Sequence, residues 1–129
     1  MGWLHPLDLW SIGCIIAELF LGHVLFTTYD DLEHLALMEK CLGQFPSEML
    51  GEAPRTEDFF DVDTGMCWGA TECEMAQKYN IWRTKRLQDI TAPAENTEFG
   101  ALLEDLLKID PASRATASQA LRHGFFKDA

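Results

Sequence analysis

Residues 8–21 read DLWSIGCIIAELFL, and most positions in this stretch are apolar. Apolar side chains recur at three- and four-residue intervals and also fill the other faces of a helix: Leu9, Trp10, Ile12, Cys14, Ile15, Ile16, Ala17, Leu19 and Phe20. A helix that is apolar nearly all round must be buried on all sides. The stretch therefore predicts a long, buried central helix with Asp8 as its N-cap and Gly22 as its C-terminal stop.

The apolar run from residue 9 to residue 26 is long enough to raise the question of a membrane span. Glu18 lies at the middle of the run, where a carboxylate is costly in lipid. No basic segment precedes the run, which disfavours a signal peptide. We therefore expect neither a membrane segment nor a secretory signal.

A second helix is predicted from Asp31 to Leu42. Asp30 and Glu33 are three residues apart, as a capping box requires, and Gly43 suits the position after the last turn. Leu35, Met38, Leu42 and Phe45 share one face at helical spacing and are expected in the core. Glu33, Glu39 and Lys40 are expected to face solvent.

The segment 44–97 is broken by glycine and proline, so only short helical turns are predicted there, near Ser47–Leu50 and Glu72–Tyr79. Its aromatic residues are expected to anchor it: Phe59, Phe60, Trp68, Tyr79 and Trp82. The third long helix carries five apolar residues on one face: Phe99, Leu102, Leu103, Leu106 and Leu107. Thr116 and Gln119 form a second capping box before a last short helix. No strand pattern appears, so the fold class is mainly α.

The net charge of −11 argues against binding to nucleic acid and disfavours an anionic membrane surface, because no stripe of Lys or Arg could neutralise the phosphates. The charge suits a basic protein partner, although an ordinary soluble surface with surplus acid explains it as well. The four cysteines have no C-x-x-C spacing, and the histidines complete no zinc pattern. We therefore expect no metal site, and reduced thiols in the nucleus, the cytoplasm or both.

Four motifs then occur in order along the chain. Residues 33–40 read EHLALMEK, which resembles the E-H-L-A-M-M-E-R signature of the LAMMER, or CDC-like, dual-specificity protein kinases. Residues 8–14, 110–114 and 120–126 resemble the kinase patterns D-[VLM]-W-S-x-G-C, D-P-x-x-R and A-L-x-H-P-F-F, with Gly124 in place of proline. The matching structural positions are Asp8, Trp10, Gly13, Glu33, His34, Leu35, Ala36, Leu37, Met38, Glu39, Lys40, Asp110, Pro111 and Arg114.

The resemblance implies that residues 1–129 form part of a kinase domain, from just after the activation segment to the end of the C-terminal lobe. Such a lobe has a long buried central helix with three or more helices packed around it. In the family, the residue matching Asp8 holds the catalytic loop in shape. The residue matching Arg114 pairs with the glutamate of Ala-Pro-Glu, which this chain lacks. We therefore expect Arg114 to lack its carboxylate partner, which destabilises a buried pair by about 3–5 kcal/mol.

The residues that perform phosphoryl transfer are not found in the 129 positions. A kinase needs a glycine-rich loop, a Lys–Glu pair, a catalytic Asp, and an Asn and an Asp that bind Mg²⁺. The resemblance implies ATP and Mg²⁺ as cofactors of the parent family, whereas this chain offers no catalytic, cofactor-binding or metal-binding residue. We therefore expect the isolated chain to be inactive.

The resemblance also implies Arg/Ser-rich proteins as substrates of the parent kinase. Glu18 matches a position that often contacts a substrate arginine in kinases preferring basic substrates; a carboxylate suits that contact, and a role satisfying backbone donors is equally open. The chain is then either a truncated kinase or a stand-alone, non-catalytic module that binds basic proteins or a kinase partner; an unrelated helical bundle is a third reading. The upstream kinase segments would cover the central helix, so the isolated chain should expose a large apolar patch.

Overall fold

The computed structural model describes residues 6–68, 84–92 and 97–127. The helices are α1 Pro6–Leu21, α2 Asp31–Leu42, α3 Ser47–Glu52, α4 Thr56–Phe59, α5 Leu87–Thr91, α6 Thr97–Leu106, α7 Ala117–Ala120 and a 3₁₀ helix at Gly124–Phe126. Within these ranges the only extended pairing is an isolated antiparallel bridge between Phe60 and Cys67. The expected mainly α fold is confirmed.

The chain divides into two compact units. The first unit comprises Met1–Leu25 and Leu87–Ala129, and the second comprises Phe26–Arg86. The helices α1, α5, α6 and α7 belong to the first unit, and α2, α3 and α4 belong to the second.

The first unit is built on the contact between α1 and α6. Leu9 of α1 clusters with Leu102 and Leu106 of α6, and all three side chains are buried. Gly13 brings the two helices close, because a Cβ at this position would lie 2.9 Å from Leu107 Cδ2. The leucines predicted for the third helix are buried as expected, since they form the single apolar stripe of α6.

Helix α1 begins at Pro6, before the residue predicted to cap it. Asp8 lies exposed in the first turn, so the N-cap prediction was wrong. Proline is tolerated in a first turn because the amide it lacks would have no intrahelical partner there. An acidic side chain in the same turn still interacts favourably with the positive end of the helix dipole.

Only one face of α1 is buried in this chain. Leu9, Gly13 and Ala17 are buried, whereas Ile12, Ile15 and Leu19 are 45%, 54% and 79% exposed. We call the last three residues the open face of α1. Their exposure confirms the expected apolar patch, and it shows that the described part of the chain does not bury α1 on all sides.

The C-terminal part of the first unit packs through aromatic rings. The ring of Phe99 lies 4.9 Å from that of Phe20 and 5.9 Å from that of Phe125, measured between centroids.

Thr116 accepts from the backbone of Gln119, whose side chain accepts from the Thr116 backbone. The predicted second capping box is therefore confirmed.

In the second unit, α2 has the bounds that the sequence predicts. Asp30 Oδ1 accepts the Glu33 N–H at 2.8 Å, and Gly43 follows the helix with a φ of +103°. Ala36, Leu37 and Cys41 are the buried small and apolar side chains of α2. The predicted inward face is therefore correct only in part. Phe45 is buried, whereas Leu35, Met38 and Leu42 are only half-buried, because the helix is turned toward Ala36 and Leu37.

The remaining core of the second unit is aromatic. Phe45 and Phe60 are buried and meet edge to face, with centroids 5.0 Å apart. The short helix predicted near Ser47–Leu50 is confirmed as α3. The turn predicted near Glu72–Tyr79 and the anchors Tyr79 and Trp82 lie outside the described residues.

Candidate functional site

The side chain of Arg114 is held by backbone carbonyl groups. Nη1 donates to Pro6 O at 2.7 Å, Nη2 donates to Ile109 O at 2.9 Å, and Nε donates to Lys108 O at 2.9 Å. The guanidinium also lies over the Trp10 ring, 4.9 Å from its centroid. A planar cation with donors in a fixed fork suits both contacts.

These contacts give Arg114 hydrogen-bond acceptors that the sequence does not predict, while the energetic cost of lacking a carboxylate partner stays a prediction. No ion pair joins it to a carboxylate in the described part of the chain, yet each guanidinium nitrogen has an acceptor. Burial lowers the pKa of Arg114, and the nearby Asp110 charge opposes that shift. An arginine remains charged despite such a shift. The motif thus ties the turn after α6 to the first turn of α1 without the missing glutamate.

Asp110 shapes the turn that carries Arg114. Its carboxylate accepts from the Ser113 hydroxyl at 2.6 Å and from the Ala112 N–H at 2.8 Å. These bonds to Ser113 and Ala112 hold the pKa of Asp110 below its ordinary value. Pro111 lies exposed between Asp110 and Ala112 in the turn, at a position where no backbone N–H donor is needed.

The octet 33–40 contains two buried carboxylates. Glu33 is 6% exposed and accepts the Tyr29 N–H at 2.8 Å; Glu39 is 7% exposed and accepts the Cys67 N–H at 2.9 Å. The prediction that both glutamates face solvent was therefore wrong, because each is turned inward to a backbone donor that needs an acceptor. Lys40 is exposed, as expected.

Burial raises the pKa of Glu39, and the bond from Cys67 opposes that rise. The low local dielectric that raises the pKa also strengthens the hydrogen bond to Cys67. Cys67 itself is fully buried and forms the isolated bridge with Phe60. Glu39 therefore fixes the segment that returns from α4 against α2.

The other octet residues pack. Ala36 and Leu37 are buried, Leu35 and Met38 are half-buried, and the His34 ring lies 5.8 Å from that of Phe26. The octet thus consists of packing residues and backbone acceptors. Among the contacts between described residues, none of the octet places a nucleophile beside a base.

Glu18, the predicted substrate-contact residue, is half-buried on α1. Its Oε1 accepts the Leu25 N–H at 3.1 Å and so holds the chain after the end of the helix. This bond corresponds to the alternative role of satisfying a backbone donor. Contact with a substrate arginine stays a prediction.

Cys14 lies one turn before Glu18 on the same helix. Burial, followed by the nearby Glu18 charge, raises the pKa of Cys14 to about 11, and Arg114 opposes the rise. The thiol therefore stays protonated at neutral pH, and a protonated thiol is a poor nucleophile. Cys14 is a packing residue, as the sequence predicts.

The described residues do not fit Mg²⁺ and ATP. Within them no group of three or more His, Cys, Asp or Glu side chains could hold a metal ion. A cavity of about 570 Å³ opens between Ser47 and Gly65, with Asp58, Asp61 and Asp63 in its lining. Its central carboxylate is engaged, because Asp61 Oδ1 accepts from Asp63 and Thr64 in a tight turn.

Among the residues that the structure describes, no helix has the length and apolarity needed to cross a bilayer.

Sequence reasoning missed the two long-range anchors, Cys67 for Glu39 and Pro6 for Arg114. No signal in the sequence points to either, since both supply only a backbone group. The motif residues 33–40 belong to the second unit, and the motif residues of 8–14 and 110–114 belong to the first. Their functional roles stay a prediction.

Comparison with known proteins supports this reading of the motifs. The protein kinase domain family matches residues 2–126. The serine/threonine-protein kinase AFC3 of Arabidopsis thaliana is 44% identical over 98% of the chain, and the dual specificity protein kinase CLK1 of Homo sapiens is 38% identical over 98%. A crystal structure of a kinase domain matches 98% of the chain with a TM-score of 0.84 and 30% identity.

The chain spans only part of these proteins: 33% of AFC3, 26% of CLK1 and 37% of the crystallised kinase chain. The octet, the helix that begins at Pro6 and the Asp110–Arg114 turn all lie within the matched region. The chain therefore belongs to the protein kinase family, within its LAMMER dual-specificity group, and has the helical fold of the lower C-terminal lobe.

Proposed function

We propose that this chain is the non-catalytic base of a LAMMER-type kinase and transfers no phosphate by itself. The observation that carries the proposal is the open face of α1. Ile12, Ile15 and Leu19 form an apolar stripe on the longest helix of the described chain, and such a stripe marks a surface that another protein segment covers. The absence of the glycine-rich loop and of Asp-Phe-Gly from the 129 residues supports inactivity.

In this proposal the chain acts as a scaffold. The Arg114 bonds hold the first turn of α1, and Gly13 lets α1 approach α6 closely. The rigid helix then presents its open face to the upstream segments of a kinase domain. Those segments would supply the ATP site, the Mg²⁺ ligands and the catalytic carboxylate.

A nucleotide-binding measurement tests the proposal that the chain transfers no phosphate by itself. The purified chain is titrated with Mg·ATP in a calorimeter, and a complete CLK1 kinase domain serves as the positive control. We expect no heat of binding from the chain. Saturable binding would show that an ATP site exists here and would refute the proposal.

Complementation tests the scaffold half. The chain is co-expressed with the upstream part of the AFC3 catalytic domain, and co-purification is scored. We expect a complex with the unchanged chain and its loss with Ile15→Lys. Leu121→Lys, a charge placed at another exposed leucine, is the matched control and should leave the complex intact. Equal recovery of all three chains would contradict the role of the open face.

A second candidate function is a binding module for basic, Arg/Ser-rich proteins. Its supports are the charge of −11 and the carboxylate of Glu18 on α1. The test is binding of a fluorescent Arg/Ser peptide by anisotropy at low and raised salt. Glu18→Gln keeps an acceptor for the Leu25 N–H while removing the charge, so it separates recognition from structure. We expect at least threefold weaker binding by the variant, about the effect of one exposed ion pair; unchanged affinity would contradict a role for Glu18.

We also propose that the chain works in the nucleus, the cytoplasm or both. Cys14, Cys41 and Cys67 are free thiols in the structure. Reduced cysteines are usual in these compartments. Imaging of the tagged chain in cells tests this; exclusive secretion would contradict it.

A further inference from the structure

We propose that Tyr29 is a phosphorylation site for a protein tyrosine kinase with a basic substrate cleft. The loop before α2 carries this residue, and the motifs that identify the family do not include it. Its side chain is 93% exposed, the highest exposure among the exposed large hydrophobic residues of the described chain. Tyrosine side chains usually bury much of their apolar surface, whereas Tyr29 leaves nearly all of it in contact with solvent.

Hydrogen bonds fix the backbone around Tyr29, whereas the residue itself is exposed to solvent. The Tyr29 N–H donates to Glu33 Oε2 at 2.8 Å, and the Glu33 N–H donates to Asp30 Oδ1 at 2.8 Å. These two bonds fasten the loop to the first turn of α2. The Tyr29 ring is therefore presented from a fixed point, and its hydroxyl can enter another enzyme's active site without unfolding the second unit.

The acidic residues next to Tyr29 indicate the charge of the substrate cleft that would bind this segment. Asp30 and Asp31 follow directly and are both exposed, and residues 1–39 contain no Lys or Arg. Asp30 has extended backbone angles, φ −144° and ψ 166°, which suits a segment lying along a substrate cleft. A cleft lined with Lys or Arg complements these carboxylates, and a cleft lined with acid repels them.

The reaction consumes ATP supplied with the modifying kinase. The bond between the γ-phosphorus and the β,γ-bridging oxygen breaks, and a bond from that phosphorus to Tyr29 Oη forms. ADP leaves with the electron pair of the broken bond, and the phenolic proton passes to the kinase's catalytic carboxylate. The product carries a charge of roughly −1.5 to −2 at pH 7, next to Asp30 and Asp31.

The test uses the full 129-residue chain, Mg·ATP and a tyrosine kinase that selects acidic residues after the tyrosine. We expect incorporation to approach one phosphate per chain, with tandem mass spectrometry placing it on Tyr29. Tyr29→Phe should remove at least nine-tenths of it, while Tyr79→Phe, a change at the chain's other tyrosine, should not reduce it. Circular dichroism checks that each variant folds.

A double variant tests recognition separately. Asp30→Asn with Asp31→Asn removes both charges, and asparagine still caps a helix well. We expect kcat/KM for the chain to fall about tenfold, as the loss of two exposed ion pairs would give. Phosphate found only on Tyr79, Thr27 or Thr28 would overturn the proposal. So would a chain left unmodified by a kinase that modifies its own control peptide.

Discussion

Arg114 Nη1 donates to the Pro6 carbonyl oxygen at 2.7 Å and joins two residues that are 108 positions apart. The bond closes the first unit, because it ties the turn after α6 to the start of α1. It also gives the kinase-motif arginine a partner within this chain. Arg114 therefore stabilises the first unit through hydrogen bonds to backbone carbonyl groups.

Replacing Arg114 with alanine should destabilise the chain. Three carbonyl oxygens would lose their charged donor, and Trp10 would lose its stacked cation. A hydrogen bond to a charged group contributes about 1.5–3 kcal/mol net. Arg114 is only half-buried, so water can replace part of the three bonds in the variant, and we expect a loss of roughly 3 kcal/mol. Urea denaturation followed by circular dichroism measures it. Arg122→Ala, at an exposed arginine, is the control and should stay within about 0.5 kcal/mol of wild type; equal effects would contradict the anchor.

Glu39→Gln should change how stability depends on pH. The pKa of Glu39 in the folded chain lies above its ordinary value of 4.5. Glu39 therefore contributes stability at a pH below 4.5, and this contribution is lost as the pH rises through the folded pKa. Glutamine keeps an acceptor for the Cys67 N–H and carries no charge. The stability of Glu39→Gln relative to wild type should therefore increase from about pH 4 to pH 7.

Urea denaturation at each pH measures the Glu39 effect. Glu104→Gln is the control, because Glu104 is exposed on α6 and its loss removes the same charge. Glu39→Ala should lower stability at every pH, by about 1–3 kcal/mol, because the buried Cys67 N–H would lose its acceptor. A pH profile of Glu39→Gln parallel to that of wild type would be inconsistent with the raised pKa.

Gly13→Ala should lower the free energy of unfolding by about 1–2 kcal/mol. The added Cβ would lie 2.9 Å from Leu107 Cδ2 and 3.0 Å from Leu106 Cβ, and this overpacking outweighs the helix propensity gained. Gly124→Ala is the control. The three atoms nearest to its Cβ would all belong to the carboxyl group of Glu98, whose side chain is 53% exposed and can move aside. If both variants melt at the wild-type temperature, the α1–α6 contact is looser than described.

Charges on the open face of α1 should reduce self-association without unfolding the chain. Ile15 and Leu19 are 54% and 79% exposed, so Ile15→Lys with Leu19→Lys loses little packing and should change stability by less than about 0.5 kcal/mol. Light scattering coupled to size exclusion should show a lower mean mass than wild type. Leu121→Lys, at a leucine that is 74% exposed elsewhere, should leave the mass unchanged. A large loss of stability in the double variant would mean that this face is packed in solution.

The limits of α2 and the core face of α6 could be predicted because their signals are local. Asp30 caps a residue three positions away, Gly43 adopts a positive φ directly after the helix, and the α6 leucines repeat at helical spacing. The inward turn of Glu33 and Glu39 could not be predicted. An acidic side chain prefers water unless a buried donor meets it, and the donor for Glu39 is 28 residues away.

The helical class, the N-caps of α2 and α7 and the kinase motifs follow from the sequence, because these features depend on residues within about one helical turn of each other. Which motif residues form long-range hydrogen bonds depends on how the chain folds. Glu39 accepts a hydrogen bond from the backbone of Cys67, and Arg114 donates one to the backbone of Pro6. Nearly every residue type has these backbone groups, so the sequence does not show which residue will be the partner. The path of the chain brings such groups together, and burial then makes their hydrogen bonds obligatory.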